Sequence, residues 1–209
     1  MGNKIQLAKR GTRLNLTKGR DIPLTKIDVH LGWDTNKYDG VPVDLDVTAF
    51  MLMKDGSSGQ YIATDADDVV FYNNKADRAE SVIHSGDNRT GADSNDALNS
   101  SMGEAIDESI SVEFSKVPTL CEKIAFVVTI HEAEKRQQNF GMVDNAFSEV
   151  WDQDGNPLVR FELTEKHSTQ TALAVCEIYR DGKEWKYAAV GQGFDGGLAE
   201  FAVMYGLEV

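Results

Sequence analysis

Apolar and polar residues alternate along most of this chain. In 26–33, Ile27, Val29, Leu31 and Trp33 share one face. In 43–53, one face carries Val43, Leu45, Val47, Ala49, Met51 and Met53, and the other carries Asp44, Asp46, Thr48, Phe50 and Leu52. That second face is polar in its first half and apolar in its second, which predicts a strand leaving a wet end and entering a core. Shorter runs predict strands at 69–72, 81–84, 109–114, 124–130, 146–151, 158–163, 171–180 and 184–190. Asp181-Gly182 lies between two apolar runs, the strongest short hairpin signal. Asp152-Gln-Asp-Gly-Asn-Pro157 separates two more runs, and Lys54-Asp55-Gly56 ends another. Helix is scarce: 131–138 predicts a short one, and 197–205 has helical spacing. Many short strands joined by such turns predict an all-β fold, a β-sandwich of two antiparallel sheets with one or two short helices. No repeat, Pro-rich linker or break in composition divides the chain, so 1–209 reads as a single domain.

The composition fits a soluble protein with a full core: 209 residues, 41% hydrophobic and 26% charged. A pI near 4.7 argues against direct nucleic-acid binding, because phosphate contacts need Lys and Arg. No run approaches the ~18 apolar residues of a membrane span, so no direct membrane insertion is expected. The basic start lacks the apolar core of a secretion signal. Gly2 fails as a myristoylation site because Gln6 stands where Ser or Thr is needed. Cys121 and Cys176 sit in apolar stretches and read as buried, reduced thiols of a cytosolic protein.

Charge changes the picture. Residues 39–108 hold 15 Asp plus Glu against 4 Lys plus Arg, a net of −11 in a chain whose total is −13. Carboxylates this concentrated repel one another unless a cation sits among them. Asp and Asn oxygens are hard ligands of the kind Ca²⁺ takes. Four segments supply them: Asp44-x-Asp46 on one strand face, Asp65-x-Asp67-Asp68 leading to Asn73-Asn74, the turn Gly86-Asp-Asn-Arg-Thr-Gly91, and Asp107-Glu108 at the start of a strand. Each alone also reads as a solvated strand end or an Asx-rich turn. None fits the EF-hand pattern, so a site would be assembled from separate loops. Asp152-x-Asp154-Gly155 lacks the later ligands of a calcium loop and reads as a hairpin turn.

Other chemistry is thinly represented. His30, His84, His131 and His167 lie far apart, with no transition-metal spacing. His131-Glu132 reads either as a general acid–base pair or, more commonly, as a strand-end histidine bonded to backbone. No nucleophile elbow, phosphate loop or dinucleotide fingerprint is present. Gly191-Gln-Gly-Phe-Asp-Gly-Gly197 reads as a tight strand-to-helix connection or as an anion site at that helix start, which Asp195 would oppose. Residues 93–104 read as a long mobile loop.

Together these segments resemble the TerD family of tellurium-resistance and stress-response proteins. The matching pieces are Leu31-Gly-Trp-Asp34, Phe71-Tyr-Asn-Asn74, Gly86-Asp-Asn-Arg-Thr-Gly91, Lys123-Ile-Ala-Phe-Val-Val-Thr-Ile-His-Glu-Ala133, Asn139-Phe-Gly-Met-Val-Asp-Asn-Ala-Phe147 and Glu184-Trp-Lys-Tyr-Ala-Ala-Val-Gly-Gln-Gly193. They run in family order from about Leu14 to the C-terminus. The resemblance implies a β-sandwich with Ca²⁺ bound in loops at one end, and the number of carboxylates in the acidic block suits two neighbouring ions. It implies a cytoplasmic bacterial protein, associated with the inner membrane face through other Ter proteins and a membrane-embedded partner, with no catalytic reaction. Carried over by position, the metal ligands would be Asp44, Asp46, Asp68, Asn73, Asn74, Asp87, Asn88, Asp107 and Glu108. Asp67 joins them, because Asp65, Asp67 and Asp68 leave the family register open. Two departures stand out. Residues 93–104 look like an inserted loop, and Tyr187-Ala188-Ala189 replaces an ending where relatives often carry Phe and Arg.

The expected function is therefore a calcium-binding, non-catalytic stress-response and tellurite-resistance protein, a binding or scaffold module ordered by its ions. The alternative is a metal-dependent enzyme or a nucleotide- or phosphate-binding module built on the same acidic centre. That alternative requires a concave pocket beside the metals with a contact such as Arg89 or Tyr72.

Overall fold

Two sheets face each other across one apolar core in the computed structural model of the chain, which describes residues 5–35, 42–86, 99–163 and 169–208. Strands are numbered in chain order. One sheet runs β1 (Gln6–Ala8), β11 (Pro157–Glu162), β10 (Val143–Asp152), β3 (Lys26–Thr35), β8 (Glu108–Glu113), β7 (Val82–His84). The other runs β2 (Arg13–Asn15), β13 (Glu184–Phe194), β12 (Ala172–Asp181), β9 (Lys123–Ile130), β4 (Leu45–Lys54), β5 (Tyr61–Ile62), with β6 (Val69–Val70) also on β4. Among the described residues only β1 with β11 pairs parallel. The β-sandwich expected from alternation is the fold.

Register places the core. Ile27, Val29, Leu31 and Trp33 of β3 pack with Leu45, Val47, Ala49 and Met51 of β4 between the sheets. The outer face of the seven-stranded sheet carries a second, smaller core. There Phe50, Leu52, Ala125, Val127 and Ala172 are covered by Phe201 of α2 (Gly197–Met204) and by Tyr205. Phe201 meets Phe194 edge-on, with centroids 4.6 Å apart. This explains the two-sided apolar half of β4. Its polar half is not wet, however: Asp44, Asp46 and Thr48 are all buried.

Other differences are local and have local causes. The predicted strand at 69–72 ends at Val70, because Phe71 and Asn74 exchange backbone bonds of 2.9 and 3.0 Å and close a turn over Tyr72 and Asn73. The Gly-rich segment after 190 is mostly strand, since β13 continues to Phe194. Gly191 permits this: its φ is +58°, and a Cβ there would sit 2.7 Å from Cζ of Phe161. The helix expected at 131–138 is a single turn, α1 (Ala133–Arg136). The edge strands β1, β2 and β5 have two or three residues each, too few for alternation to reveal. Both cysteines are buried and unpaired, and burial pushes the Cys121 thiol up to about 11.

Candidate functional site

Trp33 ties together the two acidic pairs that the sequence singled out. Its backbone N–H donates to Asp107 Oδ2 at 3.0 Å, and its indole Nε1–H donates to the carbonyl of Val43 at 3.2 Å, beside Asp44. Alternation then turns the pairs to different sides of β4. Glu108 points inward with Ile110 and Val112, and its Oε2 accepts the Val47 N–H at 2.9 Å. The His84 imidazole faces that same oxygen, with Nε2 3.6 Å away. Nδ1 of His84 accepts from the N–H of Gly86, so the ring proton lies on Nε2, toward Glu108.

Asp44 and Asp46 lie on the outer side. Asp46 Oδ2 is 3.4 Å from Nδ1 of His131, and Asp44 Oδ2 is 3.9 Å from the Arg136 guanidinium. The His131 N–H donates to the Asp44 carbonyl at 2.9 Å. Of the two readings of His131-Glu132, the strand-end histidine bonded to backbone fits, and the acid–base pair does not form. Glu132 adopts a left-handed backbone and is held by Lys135 at 2.9 Å and Arg136 at 3.5 Å. The carboxylate facing His131 is Asp46, a partner invisible in sequence because it comes from another strand.

The remaining expected ligands divide. Asp68 Oδ2 accepts from Thr64 N–H (2.8 Å), Thr64 O–H (2.6 Å) and Asp65 N–H (3.3 Å), a capping box on the 3₁₀ turn Ala66–Asp68. Asp65 and Asp67 are bound by Arg78 at 2.8 and 2.6 Å. Asn74 donates to the carbonyl of Val69 at 2.7 Å, and Asn73 is exposed at the turn tip. Asp87 and Asn88 lie outside the described residues, as do Arg89 and His167. Among the described residues, no three His, Cys, Asp or Glu side chains converge as a metal site. Of the expected set, Asp67 and Asp68 are engaged by Arg78 and Thr64, Asp44 and Asp46 face Arg136 and His131, and Asp107 and Glu108 accept from the Trp33 and Val47 N–H groups.

Beside Asp46 the outer face of the seven-stranded sheet opens into a cleft of about 460 Å³. Its floor is Asp46 and Thr48 of β4 and Thr129 of β9; Tyr72, His131 and the Asp195–Gly196 turn before α2 form its walls. The Tyr72 and His131 rings meet edge-on, 6.1 Å apart. Thr171 fixes the turn by donating to the Asp195 carbonyl at 2.7 Å.

A second polar centre escaped sequence reasoning. On the outer face of the six-stranded sheet, buried Arg160 binds Glu149 at 3.0 Å, Glu104 at 3.0 Å and Glu162 at 2.6 Å, and lies 3.9 Å over the Phe147 ring. Burial works against the Glu149 anion, yet hydrogen bonds from Ser101, Trp151 and Arg160 outweigh it and hold the carboxyl below the usual glutamate range. Ser101 donates to Glu149 from both N–H (3.0 Å) and O–H (2.6 Å). Residues 99–104, the described part of the expected mobile loop, are therefore anchored on the sheet. Gly32 makes room for them: a Cβ there would stand 2.3 Å from the Ala105 carbonyl oxygen. Period-2 patterning places Arg160 and Glu149 on strands but cannot tell that a distant loop covers them.

Comparison with known proteins gives the family and the fold. The TerD domain model matches residues 4–205. General stress protein 16U of Bacillus subtilis (strain 168) is 45% identical over 207 residues, covering 98% of each chain. Tellurium resistance protein TerD of Serratia marcescens is 41% identical over 202 residues, covering 93% of this chain and 97% of that one. The crystal structure of a homologue of telluride resistance protein (TerD) from Streptomyces coelicolor A3(2) superposes with a TM-score of 0.67 at 23% identity, over 88% of this chain and 99% of that one, a likeness of fold. The chain belongs to the TerD family of tellurium-resistance and general stress proteins.

Proposed function

We propose that this protein is a calcium-ordered binding or scaffold module of the tellurite and stress response, with no catalytic turnover of its own. One observation carries the reading: Trp33 holds the Asp107 carboxylate through its amide and the segment before Asp44 through its indole, so two acidic pairs are fixed at one end of the sandwich. The carboxylates there are hard oxygen donors of the kind calcium prefers, with His84 facing Glu108 and His131 facing Asp46. The described residues alone do not complete a calcium site, so the fit depends on Asp87 and Asn88 joining Asp107 and Glu108. On this reading the ions neutralise loops that repel one another when empty, and the ordered loop surface then meets other proteins of the resistance set, a membrane-embedded one included, from the cytoplasmic side. Among the described residues no helix is long and apolar enough to cross a membrane.

Hydrogen exchange with and without Ca²⁺ tests this proposal. Slowed exchange at 85–108 on adding Ca²⁺ supports it. Unchanged exchange there removes its basis.

The cleft beside Asp46 favours a second reading, a ligand-binding module, since Tyr72 stands in its wall. Without bound cations, Asp46 and Asp195 would repel a phosphate there, so a phosphate-bearing ligand requires the metals first.

A further inference from the structure

The first described strands carry a charge opposite to that of the whole chain. Residues 5–20 hold five Lys plus Arg and no Asp or Glu, within a chain of net −13. Topology gathers these cations. β1 is one edge of the six-stranded sheet, and β2 is one edge of the seven-stranded sheet. The turn between them crosses from sheet to sheet: Thr12 N–H donates to the Lys9 carbonyl at 2.8 Å, and Gly11 N–H donates to the Ala189 carbonyl of β13 at 2.9 Å. Both edges therefore lie on one flank. β7 and β5 end the two sheets on the other flank, so the acidic block, spread over β4 to β8, takes the far half of the sandwich. Six strands at a spacing of ~4.8 Å put about 24 Å between the flanks, against a screening length of about 8 Å at physiological salt. A surface at the basic flank meets its cations rather than the net charge.

Four of the five cations are free to meet it. Arg20 binds Asp152 at 2.7 Å, whereas Lys9, Arg10, Arg13 and Lys18 are exposed and form no ion pair among the described residues. Arg13 and Lys18 line one groove of this flank, and Lys9 and Arg10 line another. The carboxylates in those grooves are already neutralised, Glu162 by Arg160 at 2.6 Å and Asp181 by Lys186. Glu184, paired across the same edge, accepts from Asn15 at 2.5 Å. Cations on edge strands also guard against pairing with other chains. The apolar neighbours go beyond that role. Leu7 and Met102 are 59% and 55% exposed and share the groove of Lys9 and Arg10. Cations interleaved with exposed apolar side chains fit a lipid surface, where headgroup phosphates take the charge and the layer beneath takes the apolar tips. A single-stranded nucleic acid stacks its bases on exposed rings, and the aromatic residue of this groove, Phe161, is buried.

We propose that the β1–β2 flank docks on an anionic lipid surface. Lys9, Arg10, Arg13 and Lys18 meet the headgroup phosphates, and Leu7 and Met102 enter the boundary between headgroups and acyl chains. The chain lies on the membrane and does not span it. The contact uses no residue of the calcium reading and does not depend on it.

Co-sedimentation of the full chain with vesicles, in EDTA-containing buffer at physiological salt, tests the proposal. Binding is expected to vesicles of equimolar phosphatidylglycerol and phosphatidylcholine, with none to phosphatidylcholine alone and release at high salt. Lys9→Gln with Arg10→Gln is expected to weaken binding about 25-fold, about fivefold for each cation near an anionic surface. Leu7→Gln should weaken binding without changing its salt dependence, which a purely electrostatic contact would not show. Lys54→Gln, an exposed position on the opposite flank, should bind as the unaltered chain does. All these side chains are exposed, so melting temperatures should hold, and calcium affinity should be the same in every variant, which separates failure here from failure of the calcium reading. No binding to the anionic vesicles, equal binding to phosphatidylcholine alone, or full binding by the Lys9 and Arg10 variant would overturn the proposal. So would capture of a single-stranded oligonucleotide by Lys9 and Arg10 in place of the vesicles.

Discussion

The Glu108 carboxylate accepts the backbone N–H of Val47 at 2.9 Å, joining β8 of one sheet to β4 of the other. The bond is possible because β6 covers only Ala49 and Phe50 of that edge of β4, leaving Val47 N–H without a strand partner on that side. Glu108 takes the place of the missing strand, and His84 faces it from β7.

Removing that acceptor should cost stability even without metal. Glu108→Ala leaves a buried N–H unpaired and is expected to lower unfolding free energy by about 2–3 kcal/mol in EDTA, by denaturant titration. Glu108→Gln keeps an acceptor oxygen and should lose less. Equal losses for the two variants would mean that charge, not the bond to Val47, matters.

Arg160 is the most heavily engaged cation of the six-stranded sheet, and its loss strands Glu149 in the interior. Arg160→Ala is expected to cost about 3–5 kcal/mol, the usual penalty for an uncompensated buried charge. Arg160→Lys should recover little, because one ammonium cannot span Glu149, Glu104 and Glu162. Both should speed amide exchange at 99–104, which would otherwise stay protected.

Acid should unfold the protein in two stages. Burial lowers the His30 pKa below 6.5, so the unfolded chain binds the proton more readily than the folded one. The stability this represents is complete above about pH 6.5 and is lost as pH falls toward the folded value. The Glu149 and Glu104 carboxyls are depressed below 4.5 by their hydrogen bonds, so their contribution persists to lower pH and goes as pH falls through the folded values. His30→Phe is expected to flatten the upper limb of the stability–pH curve and leave the lower limb. An unchanged upper limb would assign it to another histidine.

Gly32 is required by what passes over it. Gly32→Ala sets a methyl 2.3 Å from backbone oxygen and 2.5 Å from the Phe147 ring, and neither can yield cheaply. It should lower the melting temperature and release residues 99–105, seen as protease sensitivity confined to that segment.

What the sequence disclosed was whatever repeats with a period of two. The alternation of β3 and β4 gave the core face of each sheet, and Asp181-Gly182 gave a hairpin whose Gly182 has φ +64°. β1, β2 and β5, of two or three residues each, carry no readable period and were silent, whereas the equally short edge strand β7 showed as the apolar run 81–84. The acidic block showed that carboxylates concentrate in one third of the chain, but side-chain partners come from far away. Asp67 is engaged by Arg78, Asp68 by Thr64, and Asp46 by His131 of β9's end. Burial was misjudged where a polar face is covered: Asp44, Asp46 and Thr48 look solvated in sequence, yet the segments around α1 and α2 enclose them.

Calorimetric titration of EDTA-stripped protein with Ca²⁺, Mg²⁺ competing, tests the central claim most directly. Saturable Ca²⁺ binding at micromolar concentration or tighter is expected, with a higher melting temperature; calcium at about 100 times Kd would add about 2.7 kcal/mol. No heat of binding and no shift in melting temperature would contradict the account and leave the acidic block a set of capped and ion-paired carboxylates.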